Sequence, residues 1–314
     1  MSNAFIFPGQ GSQSVGMGRD MAEAFPESRA VFDEVDEALG EKLSAIIWDG
    51  SEADVNLTRN TQPALMAVSI AVLRAMETRG ISVEKHAAFV AGHSLGEYTA
   101  LAAAGSIGIG ETARLLRIRG DAMQQAVPVG EGAMAAILGL ELEEVSDVAQ
   151  AAAQGEVCQA ANDNAPGQIV VSGTKSAVER AVDIAKARGA RRAILLPVSA
   201  PFHCALMAPA ADMMADALAN TEIASPVVPL VANVLAAPVD DPVQIRKHLV
   251  ELVTGSVRWR ESITWMAQNG VDQCVEIGAG KVLTGLTRRI ASDVAGLSVA
   301  KPDDMDAGIA ALEE

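Results

Sequence analysis

Apolar and polar positions follow two periods along this chain, and the switches between them mark its elements. Ala4–Phe7 is a short apolar run stopped by Pro8-Gly9, the pattern of a buried strand entering a tight loop. Met21 to Leu39 carries helical spacing. Thr61-Gln62-Pro63, an apolar stretch to Arg79 and then Gly80 predict a helix with proline in its first turn and glycine just past its end. Ala87–Ala91 reads as a second buried strand, which runs into Gly92-His93-Ser94-Leu95-Gly96 and a helix of small residues, Tyr98–Ala104. The middle of the chain differs. Strands are expected over Gly132–Leu140, Val157–Ala161, Gln168–Ser172 and Arg192–Val198, helices over Leu142–Gln154 and Ser176–Arg188, and a loop over residues 162–167.

That order is β-α-β-β-α-β, the ferredoxin-like pattern. Its flanks alternate strand and helix, which predicts a parallel sheet. The expected fold class is α/β. A larger core formed by residues 1–128 and 199–314 holds the parallel sheet, and residues 129–198 form an inserted ferredoxin-like subdomain. One continuous α/β domain is the alternative. In the acidic tail Pro302–Glu314, Asp303 or Asp304 is placed to cap a short helix.

Composition narrows the function classes. The 314 residues suggest roughly two domains, and half of them are hydrophobic, an ordinary globular balance. Twenty-four basic residues against 40 acidic ones leave a net charge of −16, which disfavours nucleic acid and anionic membrane as partners. The longest apolar candidate, Ala64–Met76, is broken by Arg74 and falls short of the roughly 18 residues a membrane span needs. The amino terminus lacks the basic segment and cleavage site of a secretion signal, so a cytoplasmic location is expected. Cys158, Cys204 and Cys274 are odd in number and far apart, which predicts buried reduced thiols and a silent Asn56-Leu57-Thr58 sequon. Neither they nor the four histidines have metal-ligand spacing, so no metal is expected.

The chemistry concentrates at Gly92-His93-Ser94-Leu95-Gly96, a G-x-S-x-G sequence. Small residues on both sides allow a strand to turn sharply into a helix, exposing the serine hydroxyl at the helix start, where the next backbone N–H can stabilise an oxyanion. Chance alone can produce such a short pattern; the strand before it and the helix after it make Ser94 a candidate nucleophile. A serine needs a base. His93 adjoins the serine but is expected to point away from it. His86 and His248 read as surface residues. His203, in Ala200-Pro201-Phe202-His203-Cys204 after an apolar strand, is the preferred base, since ligands gather at the carboxyl ends of strands in open α/β sheets. A structural role for this histidine is the competing reading.

Taken together, the motifs resemble one family. Phe7-Pro8-Gly9-Gln10-Gly11-Ser12-Gln13, Gly92 to Tyr98, Arg119-Gly120, Gly132-Ala133-Met134, Asn162-Asp163-Asn164, Pro197 to His203 and Glu276-Ile277-Gly278 occur in the order found in bacterial malonyl-CoA:acyl carrier protein transacylases. The resemblance spans about residues 4–300 and implies an α/β-hydrolase-like core with a ferredoxin-like insert. It implies transfer of malonyl from malonyl-CoA to the pantetheine thiol of acyl carrier protein, in two steps and without a cofactor. Ser94 would carry the acyl group, with His203 as base, the backbone N–H groups of Gln10 and Leu95 as oxyanion hole, Arg119 as carboxylate clamp, and Asn162 and Phe202 in the substrate site. The histidine would be oriented by the backbone carbonyl of Leu252, where relatives commonly carry Gln. The following Val253-Thr254-Gly255-Ser256 departs from the usual proline-containing loop.

The residues themselves support part of this. A guanidinium pairs bidentately with a carboxylate. Arg114 and Arg117 share a helix face while Arg119 faces elsewhere. A bulky ring at Phe202 would crowd the α-methyl of methylmalonate, although core packing explains it equally well. Lys175 to Arg192 carries a local net of 6 − 2 = +4 and is a candidate docking stretch for an acidic carrier, or else a solvated helix face. Two rivals share the serine motif. A trans-acting polyketide acyltransferase is chemically the same enzyme with another carrier. A thioesterase or esterase should place an acid between serine and histidine in the chain, and no strand-end acid stands out there. The glycine pairs at Gly9-Gln10-Gly11 and Gly278-Ala279-Gly280 lack the further glycines of dinucleotide- or phosphate-binding loops.

Overall fold

The computed structural model describes residues 2–313; Met1 and Glu314, the outermost residues of the amino-terminal segment and the acidic tail, lie outside them. Among these residues ten strands form two sheets. The first holds β1 (Asn3–Phe7), β2 (Phe89–Gly92), β7 (Leu230–Ala232), β8 (Ala237–Val239), β9 (Gln273–Ile277) and β10 (Ala295–Val299), in the order β10-β9-β1-β2-β7-β8. All neighbours are parallel except the β7–β8 hairpin. Both faces of this sheet are covered, which is why β1 and β9 are buried along their whole length. Alternation sorts their side chains. Phe5, Phe7, Val90, Val275 and Ile277 enter the main core, and Ala4, Ile6, Ala91 and Cys274 enter a second core with Trp259 and Ile263.

The main core is filled by the helix Thr58–Glu77, which is buried almost all round. It starts earlier than proline placement predicts, so Pro63 lies in its interior. A proline there leaves the Arg59 carbonyl without an intrahelical donor. The Arg117 guanidinium donates to that carbonyl at 2.8 Å, which compensates the break. The expected helix Met21–Leu39 is two, Arg19–Ala24 and Pro26–Leu39, because Phe25 before the proline is extended.

The second sheet is antiparallel, with β3 (Gly132–Leu138), β4 (Cys158–Ala165), β5 (Gln168–Thr174) and β6 (Arg192–Leu195) in the order β4-β5-β3-β6. The helices Leu142–Ala153 and Lys175–Ala187 pack on it around a separate core. The element order is the predicted β-α-β-β-α-β. The predicted loop over 162–167 is corrected: residues up to Ala165 belong to β4, and only Pro166-Gly167 turns. Two register irregularities in β4 absorb the polar run, and Val257 and Arg260, outside this sheet, supply its partners. In the tail, Asp304 accepts from the N–H groups of Ala300 and Lys301 just before the helix Met305–Glu313.

Candidate active site

Ser94 stands in the turn between β2 and the helix Gly96–Ala103, with left-handed backbone at φ 54°. That conformation costs a non-glycine residue on the order of 1–3 kcal/mol and persists only where its surroundings impose it. Here the flanking glycines impose close contact. A Cβ on Gly92 would lie 1.9 Å from the Gly96 carbonyl carbon, and one on Gly96 would lie 2.4 Å from the Phe7 carbonyl oxygen. The next turn of helix is tied back by Gly96 N–H to His93 O and Glu97 N–H to Ser94 O.

His203 Nε2 lies 2.8 Å from Ser94 Oγ. The histidine is not at a strand end as predicted. It lies in the irregular segment between β6 and the short turn Ala205–Met207, with φ 58°. Its Nδ1 meets the carbonyls of Leu252 at 2.8 Å and Gly255 at 3.1 Å. Carbonyls only accept, so Nδ1 carries the proton and Nε2 is free to take one from the serine. Both carbonyls belong to the carboxyl end of the helix Pro242–Thr254, where backbone oxygens lack intrahelical partners. The Leu252 side chain is buried elsewhere and plays no part in this contact. Burial, aided by the charge of Arg119, pushes the His203 pKa down to about 3, so the ring is neutral.

Arg119 projects from the helix Ile109–Gln125 and is 2% exposed. Nη1 donates to Gln62 Oε1 at 2.7 Å and Nη2 to Ser94 Oγ at 3.2 Å, with Tyr98 stacked beneath the guanidinium. Arg114 pairs with Glu111, and Arg117 with Glu41 and Asn60, so neither faces the serine. Gln10, Leu95, Asn162 and Phe202 line one cavity of about 170 Å³ together with Ser94, Arg119 and His203. Among the described residues no protein acceptor takes the N–H groups of Gln10 or Leu95, which leaves both free for a bound oxygen.

One histidine expectation, that for His248, needs correction. His93 does not contact the serine hydroxyl, but it lines the cavity, with Nε2 on Asn164 Oδ1 at 2.8 Å and its ring against Trp259. His248 is buried rather than at the surface, paired with Glu251. His86 is partly exposed as expected. Cys158, Cys204 and Cys274 are buried and unpaired.

Three residues escaped the sequence reading. Gln62, beside the arginine, had the Thr61-Gln62-Pro63 signal but was read only as a helix start. Glu97 is fully buried within the quoted motif; its Oε2 accepts the Asn233 N–H at 2.7 Å, and burial raises its pKa to about 8. Asn233, whose Oδ1 takes the Ser94 N–H at 2.8 Å, follows a three-residue strand and carries no local signal. Among the described residues, no group of three or more His, Cys, Asp or Glu could hold a metal ion, and no helix is long and apolar enough to cross a membrane.

A family model described as acyl transferase domain matches residues 4–301. The malonyl CoA-acyl carrier protein transacylase of Escherichia coli K12 is 46% identical over 306 residues, covering 98% of each chain. The crystal structure of the acyl-carrier-protein-S-malonyltransferase from Bartonella henselae is similar with a TM-score of 0.98 and 55% identity, covering all of both chains. A chain from the complex of a type II PKS acyl-carrier protein with its malonyl-transacylase gives a TM-score of 0.96 at 43% identity, covering 99% of this chain and 100% of that one. A serine elbow, a carbonyl-oriented histidine and a buried arginine thus meet in a chain that the family model spans almost completely, and the chain belongs to the acyl transferase domain family.

Proposed function

We propose that this protein transfers the malonyl group of malonyl-CoA to the pantetheine thiol of an acyl carrier protein, through a malonyl ester on Ser94. The observation that carries this reading is the meeting of Ser94, neutral His203 and buried Arg119 in one cavity. Relatives named malonyl CoA-acyl carrier protein transacylase and the complex with a carrier protein support both substrates.

His203 Nε2 takes the hydroxyl proton as Ser94 Oγ attacks the thioester carbonyl. Leu95 and Gln10 N–H groups hold the tetrahedral oxyanion, each donor worth on the order of 3 kcal/mol. The C–S bond breaks, and the imidazolium returns its proton to the departing CoA sulfur. The carrier thiol then gives its proton to His203, attacks the ester, and Ser94 recovers its proton. Throughout, Arg119 turns its fork from Ser94 Oγ to the free carboxylate of the malonyl group, while Gln62 keeps hold of Nη1. Asn162 and Phe202 shape the cavity, and the Phe202 ring would crowd an α-methyl. Every bond and proton balances with these residues and two thioesters, so the reaction calls on no cofactor. In this reading residues 1–128 and 199–314 form the catalytic core and 129–198 the inserted subdomain. The three reduced thiols fit the cytoplasm. An esterase with an acid-oriented histidine is disfavoured, because His203 Nδ1 meets two carbonyls and no carboxylate.

Intact mass after mixing with malonyl-CoA is the direct test. The expected result is a gain of one malonyl group in the wild type, none in Ser94→Ala, and discharge by carrier protein. CoA release with no adduct would instead make the protein a hydrolase.

A further inference from the structure

Ser94 and its elbow are gripped from the side by one residue outside the reacting set. The parallel ladder between β2 and β7 ends at the pairs Val90–Leu230 and Ala91–Val231. Beyond it, β7 turns away, but the Asn233 side chain reaches back. Its Nδ2 donates to Gly92 O at 2.7 Å, and its Oδ1 accepts from Ser94 N–H at 2.8 Å. In a parallel sheet one backbone residue bonds the carbonyl before and the N–H after its neighbour. The Asn233 carboxamide makes that same pair of bonds around His93, continuing the ladder with a side chain where the backbone has left.

The grip is itself held. Asn233 is 1% exposed; its N–H donates to Glu97 Oε2 at 2.7 Å, and its carbonyl accepts from Arg258 N–H at 3.1 Å. Glu97 belongs to the first turn of the helix that the elbow opens. A closed loop therefore runs from Ser94 through Asn233 and Glu97 back to the elbow helix. The bonds Gly96 N–H to His93 O and Glu97 N–H to Ser94 O secure the downstream side of the turn, and His93 N–H to Phe7 O ties one point upstream. Among the described residues, Asn233 alone holds both the Gly92 carbonyl and the Ser94 N–H. The Ser94 N–H is thereby engaged by a residue outside the cavity lining, while Leu95, which carries the next N–H, lines the cavity.

We propose that Asn233 is a positioning residue for the nucleophile. It keeps Ser94 in its left-handed conformation and orients the Leu95 N–H toward the developing oxyanion, and Glu97 anchors it. This rests on Ser94 being the acyl carrier.

The test compares wild type, Asn233→Ala and Asn233→Asp in three measurements: malonyl transfer, labelling of Ser94 by a fluorophosphonate, and thermal melting. Asn233→Ala is expected to lower kcat by about a hundredfold, the scale of a lost oxyanion donor, with KM for malonyl-CoA within about threefold, since Arg119 and the cavity are untouched. Fluorophosphonate labelling should slow to a similar degree. In Asn233→Asp the introduced carboxyl can both donate to Gly92 O and accept from Ser94 N–H only when protonated. Its labelling rate relative to wild type should therefore rise as pH falls from about 8 to about 5, with melting followed at each pH to show that the folded fraction is constant. Unchanged kcat and labelling in Asn233→Ala would overturn the proposal, as would a rise in KM with kcat intact. If the alanine variant does not fold, a flat pH ratio for Asn233→Asp overturns it. A wild type that is labelled by fluorophosphonate yet gains no malonyl group refutes the substrate assignment and leaves the labelling comparison as the test of Asn233.

Discussion

Ser94 and His203 both hold left-handed backbone, at φ 54° and 58°, and their side chains meet at 2.8 Å. Strain of this kind at two facing residues is sustained by the packing around them and keeps the pair aligned before substrate arrives. The charge state follows from the same packing. His203 is held near pKa 3 against an ordinary 6.5, first by burial and then by Arg119. A histidine with a depressed folded value favours folding above 6.5 and loses that contribution as pH falls toward 3, because the unfolded chain takes up a proton that the folded one refuses. Activity should follow the same sign, so fluorophosphonate labelling of Ser94 should show no acid limb near pH 6.5. Arg119→Ala removes a repelling charge, which raises the histidine value and moves the limb upward; rate–pH profiles of the two proteins check this. The same variant should lose its preference for malonyl-CoA over acetyl-CoA by a factor of roughly 10 to 100, the worth of a charged hydrogen bond. An undiminished preference would exclude Arg119 from the clamp.

Elements set these distances through their packing. The Ile109–Gln125 helix carries Arg119 and crosses the Thr58–Glu77 helix so closely that a Cβ on Gly120 would lie 2.6 Å from Arg59 Cα. Backbone cannot yield there as a flexible side chain could. Gly120→Val should push the helices apart at a cost of about 1–3 kcal/mol, and it should carry Arg119 away from Ser94 and Gln62. A displacement near 1 Å corresponds to about a hundredfold loss of rate, so kcat/KM should fall further than melting temperature suggests. Gly285→Ala is the control. It lies inside the Val282–Ile290 helix with nothing within 4 Å of the added methyl, and it should stabilise the fold by roughly 0.5–1 kcal/mol with kinetics unchanged. Calorimetry and steady-state rates on both variants decide the point.

At the scale of the whole molecule, a net charge of −16 opposes approach of an acidic carrier protein unless a basic region guides it. The Lys175–Arg192 stretch is the candidate, and its charges are not equally available. Arg180 is engaged by Glu156 and the carbonyls of Ala152 and Ala153, and Lys186 lies 3.8 Å from Asp183. Arg188, Arg191 and Arg192 are exposed. Reversing the charges of Lys186 and Arg188 should raise the apparent KM for carrier protein roughly tenfold, at up to about 1 kcal/mol per exposed charge, and leave KM for malonyl-CoA unchanged. Equal carrier KM values in mutant and wild type would remove this surface from docking.

Much of this was written locally. Apolar runs closed by Pro8-Gly9 and by Gly92 specify strands, and the small residues around Ser94 specify a sharp strand-to-helix turn, because steric room at a turn depends on immediate neighbours. The β-α-β-β-α-β order over residues 132–195 was legible for the same reason. Misreadings arose where distant partners outweigh local preference. Asn162-Asp163-Asn164 is turn-like in composition, yet Val257 and the Arg260 ion pair hold it as strand. Pro63 sits inside a helix because Arg117 accepts the role of the missing donor. No spacing rule could choose His203 on geometry, since its partners come from the carboxyl end of a helix 49 and 52 residues away. Nor could one find Asn233, 139 residues from the serine it holds. Local order along a chain follows from sterics between neighbours, which the sequence states directly. The meeting of Ser94 with His203, Arg119 and Asn233 depends on directed contacts a few ångströms long, and only the packed sheets and helices bring those groups within reach.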